Sequence, residues 1–334
     1  MRFLRTLSRY FLLTLTAAAL IVGLNNCAAP SKPTASAPTA TTSTALTADA
    51  ADKININSAI LSELDKLEAK LGIPALSNKI QASRPYGSTA DLVSKGVITQ
   101  AQYDQIQNMV TVEDIVLTGE AKDVDYLTKL GLMKGHMMIA EELLVLGQPE
   151  KAVPHLGHPV EEIYVDIQDQ LGERNVPEFS DVLTRVQDLV KSKPNDPQVQ
   201  SQFQAGMAAI DQAIAALPEA DRQKPEFTLQ VINEMLDTAA AEYTASISNG
   251  KISAEIEYQD SMGFVTYAKD TLFKGIESPL AQSNPGVDKT LKAKLAELAK
   301  AWTAPIPPAK PVMTADEVVA QVKAIEQASK PAIQ

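Results

Sequence analysis

The chain has very little cysteine, tryptophan or histidine. Its 334 residues include one cysteine, Cys27, one tryptophan and three histidines, and aromatic side chains make up 5% of the total. With a single cysteine the chain can form neither an internal disulfide nor a CxxC redox motif. The folded part must therefore be stabilised by packing or by a ligand.

Signatures of familiar catalysis are also missing. The sequence has no glycine-rich phosphate loop, no G-x-S-x-G, no H-E-x-x-H and no nucleophilic cysteine downstream of Cys27. Basic residues are outnumbered, with 30 Lys and Arg against 41 Asp and Glu, for a formal net charge of −11. That charge disfavours non-specific binding to DNA or to an anionic membrane surface. We predict an acidic, non-enzymatic protein that attracts cations.

The first 29 residues have the layout of an export signal. Three arginines within the first nine residues precede an apolar run from Tyr10 to Leu24, followed by small residues. The run is shorter than the roughly 20 residues of a membrane-spanning helix. We predict a signal peptide over residues 1–29 and a location in the periplasm or another extracytoplasmic space, with the thylakoid lumen as an alternative.

Cys27 stands where a lipoprotein signal places its acylated residue. Asn26 departs from the Gly or Ala of a lipobox, so a lipid anchor on Cys27 and plain cleavage near Ala28-Ala29 remain alternatives. The signal or this anchor is the only membrane attachment we expect. Residues 30–51 consist mainly of Ala, Thr, Ser and Pro, which predicts a disordered tether.

Helical periodicity dominates the rest of the chain. Apolar residues recur at intervals of three and four, as in Leu127, Leu130 and Met133, while alternation with period two is almost absent. We therefore predict an all-α fold. Prolines and Asn249-Gly250 mark helix ends. The predicted helices cover residues 58–70, 75–83, 88–94, 99–109, 123–146, 149–155, 159–173, 177–192, 197–216, 225–248, 251–275, 287–302 and 315–329.

The length favours two folded units and tails, because domains usually contain roughly 100–200 residues. We predict a small module over residues 52–113 and an antiparallel helical bundle over residues 120–303. Residues 304–334 are expected to form a proline-rich linker, which includes PIPPAKP, and a short C-terminal helix.

Residues 53–112 contain ININSA, GIPALSNKI, RPY and DLVSKGVITQAQYDQI. These motifs resemble the double helix-hairpin-helix module of competence DNA receptors of the ComEA type and of the lumenal photosystem II subunit PsbU. The DNA-binding members use two hairpin glycines, which let backbone amides approach a phosphate. Gly72-Ile73-Pro74 and Gly96-Val97-Ile98 both lack the second glycine. Nucleic-acid binding is therefore disfavoured, and the resemblance implies a protein partner in the envelope.

All three histidines, His136, His155 and His158, lie within one short window. Imidazole is the commonest transition-metal ligand, so this clustering suggests a metal site. We expect His136 to point inward from its helix, and HLGHPVEE to hold the other two in a tight turn, where Glu161 or Glu162 could supply an oxygen ligand. The alternatives are a hydrogen-bonded core histidine at position 136 and simple helix capping by the acidic residues.

A second acidic motif, EYQD, places Glu257 and Asp260 one turn apart on a helix. Carboxylates on a helix that faces a histidine helix would suit a metal site inside a bundle. Solvated surface charge is the alternative explanation for both residues.

The pattern GHxxxAxxLLxxG…AxxHxxHPxEExY followed by EYQDxxGF resembles a family of exported all-helical bacterial proteins, and loosely the imelysin-type proteins of periplasmic metal acquisition. The resemblance implies that His136, His155, His158 and Glu161 act together, with Glu257, Tyr258 and Asp260 as partners.

Our functional interpretation is an exported protein that binds divalent iron, copper or zinc in a helical bundle, for storage, delivery or sensing. The first alternative is a metal-free adaptor that docks on an envelope or photosynthetic membrane complex through residues 53–112. The second is a DNA receptor of the ComEA type.

Overall fold

The computed structural model describes residues 53–113 and 117–334. The expected signal peptide, the tether and Cys27 lie outside the described residues. None of the described helices is both long enough and apolar enough to cross a membrane.

Residues 53–113 form a small unit in which two short strands join the ends of the segment. Strand β1 (Ile54–Asn55) pairs in parallel with β2 (Val110–Thr111). The apolar faces of the intervening helices form a core of their own around side chains such as Leu64, Leu67 and Leu92. The helices are α1 (Leu61–Leu71), α2 (Leu76–Ala82), α3 (Asp91–Ser94) and α4 (Gln100–Ile106).

The longer helices that follow form the bundle, so the predicted all-α class is confirmed. The bundle consists of α5 (Glu120–Val145), α6 (Pro149–His158), α7 (Val165–Glu173), α8 (Ser180–Ser192), α9 (Val199–Ile214), α10 (Glu219–Arg222), α11 (Pro225–Ala245), α12 (Glu255–Tyr267), α13 (Lys274–Ser283), α14 (Pro285–Leu298) and α15 (Ala315–Ile333). Helices α5, α11 and α12 pack against one another, α6 packs on α5, and α15 lies along α11. Turns of π-helix at Pro159–Tyr164 and Ala268–Phe273 connect α6 to α7 and α12 to α13, and a 3-10 turn follows at Ala299–Ala301.

The predicted helix over residues 251–275 is wrong at both ends. Asn249 and Gly250 have positive φ angles of 52° and 69°. Positive φ at both central residues of a two-residue turn is typical of the hairpin that Asn-Gly favours. Accordingly, β3 (Ile247–Ser248) and β4 (Lys251–Ile252) form an antiparallel pair, and the helix begins only at Glu255. It then continues through the π-helical turn and α13 to Ser283.

Helix α1 connects the small unit to the bundle. Ile60, just before α1, is buried in the core of the bundle. Lys66 forms an ion pair with Asp237 of α11 at 2.9 Å. The face of α1 that does not pack inside residues 53–113 therefore lies on α11.

The segment between α14 and α15, expected to be a linker, is attached to the bundle by buried side chains. The indole Nε1 of Trp302 donates to Ser261 Oγ at 2.8 Å, and Tyr243 donates to the Met313 carbonyl at 2.8 Å. These bonds hold the segment against α11 and α12.

Candidate metal centre

His136 reaches the centre of the bundle because α5 and α12 approach very closely. Gly135 of α5 packs against Gly263 of α12, and a Cβ on Gly135 would lie 2.7 Å from the Phe264 ring and 3.0 Å from the Gly263 backbone. Only glycine permits such an approach without displacing a neighbour. The crossing brings His136 opposite Asp260, one turn earlier on α12.

His155 and His158 lie on a helix and not in the tight turn that we predicted. Helix α6 includes both residues and continues through Pro159 as a π-helical turn. The turn prediction failed because proline usually starts a helix, whereas here a wider helical turn accommodates it. Residues three apart on a helix share a face, so both imidazoles point toward α12.

The three imidazoles converge on one carboxylate through the same ring nitrogen. The Nδ1 atoms of His136 and His155 lie 2.6 and 2.7 Å from Asp260 Oδ1. The Nδ1 atom of His158 lies 3.2 Å from Asp260 Oδ2. Each of the four residues offers a ligand atom, and these atoms all lie within 4.8 Å of one another. We call this group the His3Asp centre.

Three members of the His3Asp centre are removed from solvent. His136 and His155 have no exposed surface and Asp260 is 3% exposed, whereas the His158 side chain is 16% exposed. Solvated surface charge therefore does not describe Asp260. Burial alone would raise the pKa of Asp260, but the three neighbouring histidines hold that pKa well below its usual value. The centre thus contains a buried, ionised carboxylate.

The histidines differ in their protonation. Burial is the largest influence on His136 and lowers its pKa. Burial also acts to lower the pKa of His158, but Asp260, Glu162 and Glu161 together raise it to about 9. His136 is accordingly neutral at physiological pH, whereas His158 is protonated in the metal-free protein.

His136 has a free ring nitrogen that suits a metal ion. Its Nδ1 donates to Asp260, and its buried Nε2 has no hydrogen-bond partner among the residues that the structure describes. A buried polar atom without a partner costs about 1–3 kcal/mol and calls for an explanation. Ligand atoms around a tetrahedral ion lie roughly 3.3 Å apart, so small side-chain movements would fit these donors to one ion. The donor set is compatible with a transition metal.

Two of the predicted ligands are not part of the His3Asp centre. Glu161 lies on the side of the π-helical turn that faces α8, where it accepts a hydrogen bond from Gln187 at 3.1 Å. Glu257 is half-buried one turn before Asp260, and its pKa is raised by burial and by the charge of Asp260. Both side chains contribute charge near the His3Asp centre, but neither supplies one of its ligand atoms.

Two further residues contact the centre. Glu162, expected beside Glu161 as a possible source of a ligand oxygen, has its Oε1 3.8 Å from His158 Nε2. Burial, opposed in part by His158, raises the pKa of Glu162 to about 7. Gln259, which accepts from His155 Nε2 at 2.8 Å, was not expected, because no local pattern marks it.

The first hairpin of residues 53–112 is already occupied by an acidic side chain. Glu68 of α1 accepts hydrogen bonds from the amides of Ala75, at 2.9 Å, and Ser77, at 3.2 Å. These amides lie at the start of α2, where an anion is stabilised by the helix terminus. Glu68 therefore already binds both amides, which leaves neither of them for a phosphate.

Comparison with known proteins gives one family match. Residues 218–334, about a third of the chain, match the iron permease-associated 4-helix bundle domain. No curated protein and no solved structure matches the chain. The matched part contains α10 to α15 with Asp260, whereas the three histidines precede it. The helix-hairpin-helix and imelysin resemblances stay predictions, and the C-terminal region is similar to a helical bundle associated with iron permeases.

Proposed function

We propose that the protein binds a divalent transition metal ion in its helical bundle through His136, His155, His158 and Asp260. The observation that carries the proposal is the convergence of three imidazole Nδ1 atoms on one buried carboxylate. Three nitrogens and an oxygen suit iron, copper and zinc. The similarity of residues 218–334 to an iron permease-associated domain makes iron the first candidate.

The role that follows is metal storage, delivery or sensing in an extracytoplasmic space, without catalysis. Delivery would involve a permease as partner, as the name of the matched domain suggests. The net charge of −11 would raise the local concentration of cations around such a protein.

Metal analysis of the untagged full chain tests the proposal. We expect about one ion per chain after incubation with Fe(II) under anaerobic conditions or with Zn(II), and a rise in thermal stability, because a ligand present at 100 times its Kd stabilises by about 2.7 kcal/mol. The double variant His155→Ala/His158→Ala should lose the ion. Glu161→Gln is the matched control, since Glu161 lies outside the His3Asp centre, and it should keep the ion.

Absence of bound metal from the correctly folded wild-type chain would overturn the proposal. Equal occupancy in the wild type and in the double histidine variant would exclude the His3Asp centre as the site.

A further inference from the structure

Gln259, the neighbour of Asp260 on α12, is held in one orientation by three hydrogen bonds. Its side chain is buried, with 1% exposure. The amide Nε2 donates to the Pro305 carbonyl at 3.0 Å and to Glu255 Oε1 at 3.4 Å, and the amide Oε1 lies 2.8 Å from His155 Nε2. A carbonyl oxygen accepts hydrogen bonds and donates none. The amide nitrogen must therefore face Pro305, and its oxygen must face His155.

This orientation requires a proton on His155 Nε2. An amide oxygen only accepts, so His155 Nε2 must be the donor of the 2.8 Å bond. His155 Nδ1 lies 2.7 Å from Asp260 Oδ1, and an ionised carboxylate also only accepts, so Nδ1 donates to Asp260 in the metal-free protein. A metal ion bound at Nδ1 would replace that proton, whereas Nε2 would keep its proton and its bond to Gln259.

The Pro305 carbonyl is itself well anchored. The bonds of Trp302 to Ser261 and of Tyr243 to Met313, both 2.8 Å long, fasten the chain on either side of Pro305. The C-terminal segment thus acts on the centre through one side chain, Gln259.

We infer that Gln259 is a positioning residue, which keeps the ring proton of His155 on Nε2 and presents Nδ1 to the metal ion. The inference rests on the proposed function for the metal itself. A partner that fixes the tautomer of a histidine ligand typically contributes 10–100-fold to metal affinity. Because Gln259 is bonded to Pro305, the metal affinity of the centre depends on the segment between α14 and α15.

The first part of the test uses the metal-free full chain and nitrogen-15 NMR of the histidine rings. In the wild type we expect a proton on His155 Nε2 that exchanges slowly with water. Gln259→Met keeps the length of the side chain and removes the acceptor, so this signal should be lost. Tyr243→Phe is the matched control, because it releases the same segment at Met313 and should keep the signal.

The second part is a Zn(II) titration of the same three proteins. We expect Gln259→Met to bind about 10–100-fold more weakly than the wild type, and Tyr243→Phe to bind within a few-fold of it. In the Zn(II)-loaded wild type, His155 should keep its proton on Nε2.

Three outcomes are decisive. A ring proton on Nδ1 of His155 in the loaded wild type overturns the inference without any variant. Wild-type affinity in folded Gln259→Met also overturns it and leaves the proposed function intact. A wild type that shows the Nε2 proton but binds neither Zn(II) nor Fe(II) overturns the proposed function, and the metal-positioning role with it.

Discussion

Among single residues, Asp260 is the common partner of the three histidines. It is the only carboxylate in the His3Asp centre, and its two oxygens serve all three imidazoles. Its lowered pKa means that it stabilises the fold above the usual pKa of a carboxyl and loses that effect at lower pH. The centre therefore depends on this side chain both for structure and for its affinity for cations.

We predict that Asp260→Asn lowers the free energy of unfolding by about 3 kcal/mol, because removing one member of a buried charged group leaves the others unpaired. Urea unfolding at pH 6 measures the effect, and loss of bound Zn(II) should accompany it. Glu161→Gln, outside the centre, should change the unfolding free energy by less than about 0.5 kcal/mol. Equal unfolding midpoints for Asp260→Asn and the wild type would contradict a structural role for the carboxylate.

At the scale of elements, the crossing of α5 and α12 decides whether the centre can form. Gly135 and Gly263 are in contact there, and the Phe264 ring packs at 4.9 Å from the His136 ring. The two helices bring together His136 and Asp260, which are 124 residues apart in the chain. Side chains larger than hydrogen at the crossing would separate the ligands.

We predict that Gly135→Ala destabilises the protein by about 1–3 kcal/mol, as overpacking of a core does, and weakens metal binding by moving His136 from Asp260. Gly275→Ala is the control, because a Cβ at this exposed helical position meets nothing within 4 Å. It should stabilise the protein by about 0.5–1 kcal/mol. Thermal unfolding and Zn(II) titration measure both variants. Equal changes in stability and affinity for Gly135→Ala and Gly275→Ala would show that the close approach of α5 and α12 is not the cause.

The hairpin between α1 and α2 depends on Glu68. We predict that Glu68→Ala lowers the unfolding free energy by about 1–3 kcal/mol, because the amides of Ala75 and Ser77 lose their acceptor. Asp104→Ala in α4 is the control, since Asp104 is exposed and only accepts from Gln100. Urea denaturation compares the variants. Equal urea midpoints of the two variants would mean that water replaces the Glu68 carboxylate without loss of stability.

Across the whole molecule, buried acidic side chains extend from the His3Asp centre to α1. Burial is the main reason that the pKa of Asp65 is raised to about 7, and the neighbouring Glu68, Glu257 and Glu162 raise it further. A hydrogen bond from Ser77 acts in the opposite direction. Burial and the charges of Asp65, Asp260 and Glu162 raise the pKa of Glu242 well above its usual value. A hydrogen bond from Ser62 acts in the opposite direction. The contact between α1 and α11 therefore contains carboxyl groups whose pKa values are raised by the fold.

This arrangement predicts that the metal-free protein is more stable near pH 5 than near pH 8. A carboxyl with a raised pKa binds its proton more tightly in the folded state, so the stability it contributes is lost as pH rises through the folded pKa. For Asp65 this window runs from about 4 to about 7. The raised pKa of His158 acts in the same direction between about 6.5 and 9, and the lowered pKa of His136 opposes it.

Urea unfolding at the two pH values measures this difference. Glu242→Gln is the diagnostic variant, because its amide resembles the protonated carboxyl and removes one titrating group. We expect it to raise stability at pH 8 by about 1 kcal/mol or more and to reduce the difference between pH 5 and pH 8. An identical difference in wild type and variant would show that Glu242 does not titrate in this range.

Local patterns were sufficient to predict several features of this protein. Apolar spacing at three and four residues predicts helices because it reflects the geometry of a single helix, and the all-α class followed from it. Histidine is rare in the chain, so the cluster of His136, His155 and His158 stands out from residue order alone. The Asn249-Gly250 pair is typical of a two-residue hairpin turn, although we interpreted it as a helix stop.

Other features depended on contacts between distant parts of the chain. Surface charge was as good an explanation for Asp260 as a buried site, until the Gly135–Gly263 crossing placed it among the histidines. The same packing turned Glu161 toward Gln187, and the C-terminal segment oriented Gln259 toward His155. Periodicity shows which face of a helix is apolar, but helix crossings decide which side chains meet. For that reason the sequence named the histidines and Asp260 as candidate ligands, but only the assembled bundle distinguished Asp260 from Glu161 and Glu257.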